Sequence, residues 1–436
     1  MAYPKKKVAF HTLGCKLNFA ESSAIARSLP PERFERVTAE DAADIYIINT
    51  CSVTDAADKK CRQAIRKFIH RSPGAFIAVV GCYSQLKPQE IATIPGVDLV
   101  LGSNEKFDLA SYLEAQDKHK HAEVHSGILS GNDRFYPSFS SGDRTRSFLK
   151  VQDGCDYGCS YCTIPMARGK SRNPSIGLLM EEARKIADQG IKEIVLTGVN
   201  IGDFGRSTGE TFTDLLKELV NTRGIERIRL SSVEPNLLTD EIIGMVATGN
   251  KLLPHFHIPL QSGSNKILGL MKRRYRREVF AGRVYKIREL MPFAGIGADV
   301  ITGFPGETDA DFKDTFDFLE GLPLSYLHVF SYSERPGTVA EGLPMKVPPG
   351  EKELRSHRLA QLSDLKTTRF CELNTGRKAM VLFEKEGSEN IIAGFTENYI
   401  RAEHPFTGGL DGTLREVILT GISESGNMTC EIKTEL

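Results

Sequence analysis

The chain has 436 residues, 40% of them hydrophobic, with Lys+Arg and Asp+Glu both at 56 and a formal net charge of zero. That length allows roughly two to four domains with ample core, and the charge balance excludes coating of nucleic acid through bulk charge, so any RNA contact must use a local basic patch. No apolar run approaches the ~20 residues that span a bilayer, so no membrane partner is expected.

Residues 6–102 alternate short apolar runs with helical patterns. Strands are expected at 7–13, 44–50, 76–81 and 97–101, with helices at 18–28, 55–70 and 88–94. The helix at 55–70 turns Lys59, Lys60, Arg62, Arg66 and Lys67 outward. This βα rhythm predicts a parallel sheet with helices on its faces. Residues 115–146 are polar and read as a linker or crossover. The rhythm resumes with strands at 147–152, 193–198, 227–232, 255–260, 295–302 and 326–332, with helices such as 179–189 and 309–319 between them. Six such units predict a partial TIM-like barrel with its active site at the carboxyl ends of the strands. Residues 344–349 are loop-like and 352–372 read as one long charged helix. The last ~60 residues predict short antiparallel strands that close into a small β-barrel. The fold class is therefore α/β. The expected units are 1–125, a linker at 126–146, a partial (β/α)6 barrel at 147–370 and a small antiparallel barrel at 371–436.

Nine cysteines are present, and their spacing is not that of a disulfide framework. The opening Met1-Ala-Tyr-Pro-Lys-Lys-Lys7 leads toward a strand and not into a signal peptide's apolar region, so a reducing cytoplasm is expected. Three of the thiols are crowded into Cys155-Asp-Tyr-Gly-Cys159-Ser-Tyr-Cys162, directly after the first strand of the expected barrel. Three close thiolates on a turn can hold three irons of a cubane cluster and leave the fourth iron open to a ligand. A structural zinc knuckle is the alternative, but zinc closes its shell with four ligands, and the next His is His255.

Cys15, Cys51 and Cys82 each follow an expected strand of the first sheet, in Gly14-Cys15-Lys-Leu-Asn18, Asn49-Thr-Cys51 and Gly81-Cys82-Tyr83. Carboxyl ends of parallel strands line one crevice, so the three could ligate a second cluster. They could equally be small apolar side chains that fill strand ends. Cys61, Cys371 and Cys430 fit neither set and read as incidental.

Gly-rich runs at Thr197-Gly198 and Thr302-Gly303 follow barrel strands and allow close approach of a ligand. Glu234 and Gln261 follow strands too, where they could bind an ammonium or hydroxyls or simply cap helices. Met271-Lys-Arg-Arg-Tyr-Arg-Arg277 holds five cations in seven residues, and Arg168, Lys170 and Arg172 form another cluster. Each is either a solvated face or a phosphate grip.

On these motifs the chain resembles the radical S-adenosylmethionine (SAM) methylthiotransferases. The likeness lies in Gly14-Cys15…Asn18, Asn49-Thr-Cys51, Gly81-Cys82, Asp153-Gly-Cys155…Cys159…Cys162-Thr-Ile-Pro165, Arg168-Gly169, His257-Ile-Pro-Leu-Gln-Ser-Gly263 and Gly303-Phe-Pro-Gly-Glu-Thr308. The C-terminal region resembles a TRAM domain, a small RNA-binding barrel. Among the branches, Gly14-Cys15-Lys-Leu-Asn18 and His328-Val-Phe-Ser-Tyr-Ser-Glu-Arg-Pro-Gly-Thr338 look most like that acting on N6-threonylcarbamoyladenosine in tRNA. The other branches act on isopentenyl-adenosine or on a ribosomal-protein aspartate.

The resemblance implies two 4Fe-4S clusters, one on Cys155, Cys159 and Cys162 and one on Cys15, Cys51 and Cys82, and SAM as the radical source. It implies delivery of a methylthio group to C2 of the adenine. Tyr161, Gly198, Glu234, Gln261 and Gly303 are the expected SAM contacts. Lys272, Arg273, Arg274, Asn398, Tyr399 and Arg401 are the expected RNA contacts. The implied partners are a tRNA anticodon stem-loop, an electron donor such as flavodoxin or ferredoxin, and a sulfur source. A monomer is expected.

Overall fold

The computed structural model describes residues 4–113, 118, 121–129, 133–142, 144–384 and 390–433. The first sheet is wholly parallel and contains β1 (Lys6–Thr12), β2 (Phe34–Val37), β3 (Ile45–Thr50), β4 (Phe76–Gly81), β5 (Leu99–Leu101) and β6 (Glu123–His125), in the order β2-β1-β3-β4-β5-β6. β3 and β4 are buried at every residue, which is why they read as unbroken apolar runs. The edge strands β2 and β6 were not expected. Each is short and polar, because an edge strand lacks neighbours that would demand an apolar run. Helices on both faces bury separate cores around Ile48, Val79 and Phe68 on one side and Ile47, Val80 and Leu101 on the other.

Six further strands follow: β7 (Ser147–Lys150), β8 (Glu193–Thr197), β9 (Arg227–Leu230), β10 (His255–Gln261), β11 (Gly295–Thr302) and β12 (Tyr326–Ser331). They form two parallel three-stranded sheets, β7-β8-β9 and β10-β11-β12, joined by a bridge from Ser232 to His257. This is the expected partial barrel. Leu149, Ile194, Leu196, Ile228, Ile258, Ala298, Val300 and Leu327 face the surrounding helices and build the largest core. By the two-residue period of a strand, Phe148, Val195, Arg229, His255, His257, Asp299, Tyr326 and His328 face the lumen. Of the expected linker at 126–146, residues 130–132 and 143 lie outside the described residues. Ser138–Ser140 run antiparallel to β7, and Phe139 is buried in the barrel core.

Helix Pro349–Asn374 leads to a closed five-stranded barrel of β13 (Lys378–Phe383), β14 (Ile391–Phe395), β15 (Arg401–Pro405), β16 (Leu414–Ile422) and β17 (Met428–Ile432). Its pairs are antiparallel except β15 with β17, a parallel pair where an all-antiparallel barrel was expected. No helix among the described residues is long and apolar enough to cross a membrane.

Two docked elements and one open edge shape the lumen of the large barrel. The helix Lys16–Ser28 of the first sheet lays Phe19 and Ala20 against Phe148 and Val195. The small barrel closes the floor: Arg227 and Arg229 donate to the Thr396 carbonyl at 2.9 and 3.0 Å, and the Tyr399 ring stacks on His255 at 4.3 Å. The β12 edge stays open, with 46% of Phe330 exposed on its inner face.

Candidate functional site

The loop with Cys155, Cys159 and Cys162 is tied down on every side. Asp153 and Arg172 exchange backbone hydrogen bonds at its base, and the Cys155 N–H donates to the Gly169 carbonyl at 3.1 Å. Gln152 splices it to the end of β8: its amide nitrogen donates to the Gly154 carbonyl at 2.8 Å, and its oxygen accepts from Val199 and Asn200 at 3.0 and 2.8 Å. Ser160 donates through backbone and side chain to Met271 and Leu270. Arg273 donates to Cys159 Sγ at 3.3 Å and pairs with Glu234. Burial pushes the Cys155 thiol up to about 11 and the Cys162 thiol up to about 12.

Cys15, Cys51 and Cys82 come together at the other side. The sheet order reverses between β1 and β3, and in open α/β sheets the ligand crevice lies outside the carboxyl ends at that reversal. Cys15 follows β1, Cys51 follows β3 and Cys82 follows the neighbouring β4. Burial pushes the Cys51 thiol up to about 12, and the nearby Cys82 and Cys15 thiols add to it. The two glycines of the motif have a steric reason. Gly14 has φ +102°, and a Cβ there would lie 2.6 Å from that of Cys51; Gly81 has φ +104°, and a Cβ would strike Asn49 and lie 2.7 Å from the Thr50 carbonyl.

Burial disfavours the thiolates of Cys155 and Cys162 in the first trio and of Cys51 and Cys82 in the second. A bound cationic cluster would supply the missing positive charge. The donor sets fit the two clusters expected. Cys61 stands apart, donating to the Cys51 carbonyl at 3.3 Å, so it braces the ligand loop from behind.

A buried charge network joins the trios. Arg168 is 2% exposed, six residues past Cys162, and is not the solvated face that its basic neighbourhood allowed. It donates to Asn18 at 2.7 Å, to Glu21 at 3.0 and 3.1 Å and to Asp153 at 3.0 Å. Lys106 and Lys150 also meet Glu21, at 2.6 and 2.9 Å, and Lys150 meets Asp153 at 2.7 Å. The helix Cys82–Leu86 packs on the helix Ile164–Arg168, so the elements that follow the two trios touch. A second clamp comes from Arg335 after β12. It donates to the Ser52 hydroxyl at 2.6 Å, next to Cys51, and to Asp58 at 3.1 Å.

The expected SAM contacts lie within the first loop or at the carboxyl ends of the barrel strands, the end that carries that loop. Tyr161 lies edge-on to Phe304, 6.2 Å between centroids, and Gly198 and Gly303 sit at the ends of β8 and β11. Gln261 ends β10 in the left-handed region at φ 70°, a strained backbone for a residue with a side chain and typical of a functional site. Glu234 is engaged by Arg273.

The expected RNA contacts divide. Lys272, Arg274 and Arg401 are exposed, with Arg274 lying 4.0 Å over the Tyr157 ring. Three others face inward, a correction to the sequence expectation. Arg273 serves the cysteine loop, as above. Asn398 donates to the Phe293 carbonyl at 2.8 Å, and Tyr399 packs on His255. Asn398 and Tyr399 bind the large barrel because the floor of its lumen needs a cover.

One lumen cluster escaped the sequence, which showed no metal-like His spacing. Asp299 Oδ1 lies 2.9 Å from His257 Nε2 and 3.2 Å from His328 Nδ1, and Ser232 holds His257 Nδ1 at 2.7 Å. The three come from β10, β11 and β12, far apart in sequence, so only strand pairing reveals them.

The description "Uncharacterized protein family UPF0004" matches residues 7–102, and that of the radical SAM superfamily matches 149–319. The "Threonylcarbamoyladenosine tRNA methylthiotransferase MtaB" of Bacillus subtilis (strain 168) is 39% identical over 422 residues, covering 94% of this chain and 93% of that protein. A tRNA-2-methylthio-N(6)-dimethylallyladenosine synthase of Syntrophotalea carbinolica is 31% identical over 406 residues, covering 91% and 93%. Among solved structures, the radical SAM methyltransferase TsrM of Kitasatospora setae superposes with a TM-score of 0.56 at 16% identity, over 75% of each chain.

Proposed function

This chain belongs to the radical SAM methylthiotransferases, and from that premise we propose that it adds a methylthio group to C2 of N6-threonylcarbamoyladenosine beside the tRNA anticodon. One observation carries the mechanism: two three-cysteine sets at the carboxyl ends of two parallel sheets, joined through Arg168. The identity to the Bacillus relative, higher than to the dimethylallyladenosine synthase, supports the threonylcarbamoyl substrate.

With a 4Fe-4S cluster on Cys155, Cys159 and Cys162 and another on Cys15, Cys51 and Cys82, the first would supply the electron that cleaves SAM to a 5′-deoxyadenosyl radical and the second the sulfur to be transferred. The protein's own part is placement. Gln152, Ser160 and Arg273 fix the first loop, while Gly14, Gly81 and Asn18 fix the second. Arg168 and Arg335 tie the two units together, and a nucleoside held between the two sets would meet both. Tyr161, Gly198, Gln261 and Gly303 would contact SAM. Glu234 would orient Arg273 against Cys159 and reach the SAM amino group. Residues 1–125 form the sulfur-bearing unit, 126–146 the connection, 147–370 the radical unit and 371–436 the RNA-reading unit. Lys272, Arg274 and Arg401 grip phosphates around the splayed loop. An external electron donor of the flavodoxin or ferredoxin type and a sulfur source complete the cycle.

The test offers anaerobically reconstituted protein two tRNAs, one with threonylcarbamoyl-adenosine and one with isopentenyl-adenosine, and weighs the digested nucleosides by mass spectrometry. A methylthio product on the first alone is expected. A product on the second alone would move the protein to the other branch. A Cys15→Ala/Cys51→Ala double variant that still made the product would sink the two-site mechanism.

A further inference from the structure

The substrate of this reading carries a threonine joined through a carbamoyl group, and its carboxylate stays free. A carboxylate entering a half-closed lumen needs a cation there, because burying it unpaired is costly. Most cations around the lumen are already committed. Arg168, Lys106 and Lys150 serve Glu21, Arg227 and Arg229 serve Glu193, and Arg273 serves Glu234. Lys16 has no hydrogen bond or ion pair to any described residue.

Its position is set by the helix it opens. Lys16 follows Cys15 and begins the helix Lys16–Ser28. Residues three and four apart share a helix face, so Lys16 shares its face with Phe19 and Ala20. Those two pack on Phe148 and Val195, which point into the lumen. Lys16 therefore stands over the same lumen, about 5 Å nearer the cysteines along the helix axis. His255 on the lumen floor feels it: burial holds the His255 imidazole well below its usual pKa, and Lys16 is among the cations that add to this. Helix stability does not explain the residue. A cation in the first turn opposes the helix dipole, and this first turn has no acid to offset it. The Lys16 side chain is half-buried and without a partner among the described residues, so its amine is free to take a ligand.

We propose that Lys16 is the carboxylate-binding subsite of the lumen and pairs with the free carboxylate of the amino-acid group on N6 of the target adenosine. The proposal rests on the substrate reading above. It makes Lys16 a specificity-determining residue, placed beside the sulfur-bearing cysteines so that recognition of the side chain aligns the adenine.

Two anticodon stem-loops test it, one with the threonylcarbamoyl carboxylate free and one with that carboxylate converted to the amide. Affinity is read by fluorescence anisotropy on protein without clusters, and kcat/KM by mass spectrometry on reconstituted protein. The wild type should prefer the free carboxylate by about 30-fold, the worth of one charge-assisted hydrogen bond. Lys16→Met should bring that ratio toward one, Lys16→Glu should invert it and Lys16→Arg should keep most of it. A Lys16→Met protein that retains the wild-type ratio in affinity overturns the subsite alone. A wild type that ignores both stem-loops yet methylthiolates an isopentenyl one overturns the substrate reading and the subsite with it.

Discussion

Arg168→Met removes the side chain that ties the two cysteine sites together, and its cost can be worked from its partners. The guanidinium is buried and makes four hydrogen bonds, two to Glu21 and one each to Asp153 and Asn18. Four charge-assisted bonds at face value would come to roughly 6–12 kcal/mol. That sum is too large, because neither carboxylate would be left alone. Glu21 keeps Lys106 and Lys150, and Asp153 keeps Lys150 and Arg172 at 3.2 Å. The expected loss is about 3 kcal/mol, the low end of the cost of breaking a buried ion pair, because both carboxylates stay compensated.

The chain has several separate cores, so the readout is the first calorimetric transition and not a single midpoint. It should fall by about 10 °C. Function gives an independent check. Asn18 loses the donor that holds its oxygen, and Cys82 loses the cation that most favours its thiolate. Reconstituted iron should drop from about eight toward about four per chain, and SAM cleavage should run without matching methylthio product. Arg168→Lys should fall between, since it keeps the charge and loses the fork. An Arg168→Met protein within about 2 °C of wild type, with full iron and coupled turnover, would refute the bridge.

Gly81→Ala should also cost iron at the second site alone, because its methyl group collides with Asn49 and the Thr50 carbonyl while the first loop is untouched; iron and visible absorption read this. Arg335→Met should loosen the clamp on Ser52 and Asp58, seen as faster proteolysis between the first sheet and the barrel. Lys272→Ala/Arg274→Ala should weaken tRNA binding and flatten its salt dependence, whereas Arg273→Met should leave that slope alone and impair SAM cleavage. Glu193 provides a pH test. Burial alone would raise its pKa, but Arg229, then Arg227 and Arg146, hold it at about 2. Its folded value lies below the unfolded value of about 4.3, so its stabilisation is present above that pH and fades as pH falls from about 4 to 2. Acid titration of the docking between the two barrels should show that loss, and Glu193→Gln should flatten it.

The convergence of Cys15, Cys51 and Cys82 was legible because strand ends in a parallel sheet converge whatever lies between them, although spacing alone left those three open between a cluster and strand-end packing. The strands themselves were legible where burial on two faces forces an unbroken apolar run, as in β3 and β4, and illegible at the edges β2 and β6. Charge was the harder signal. A lysine or arginine reads as surface until a partner is known, and the partner of Lys106 is Glu21, 85 residues away. The same blindness made Arg273, Asn398 and Tyr399 look like RNA contacts, although each is turned inward by an element that local sequence does not reveal. This division has a physical root. The chemistry of a cluster needs particular atoms, which a motif names. The selectivity of the lumen needs particular placements, which only docking creates. On the proposal made for Lys16, substrate choice between related branches resides in wall residues of this kind. These can change while all six cysteines stay fixed.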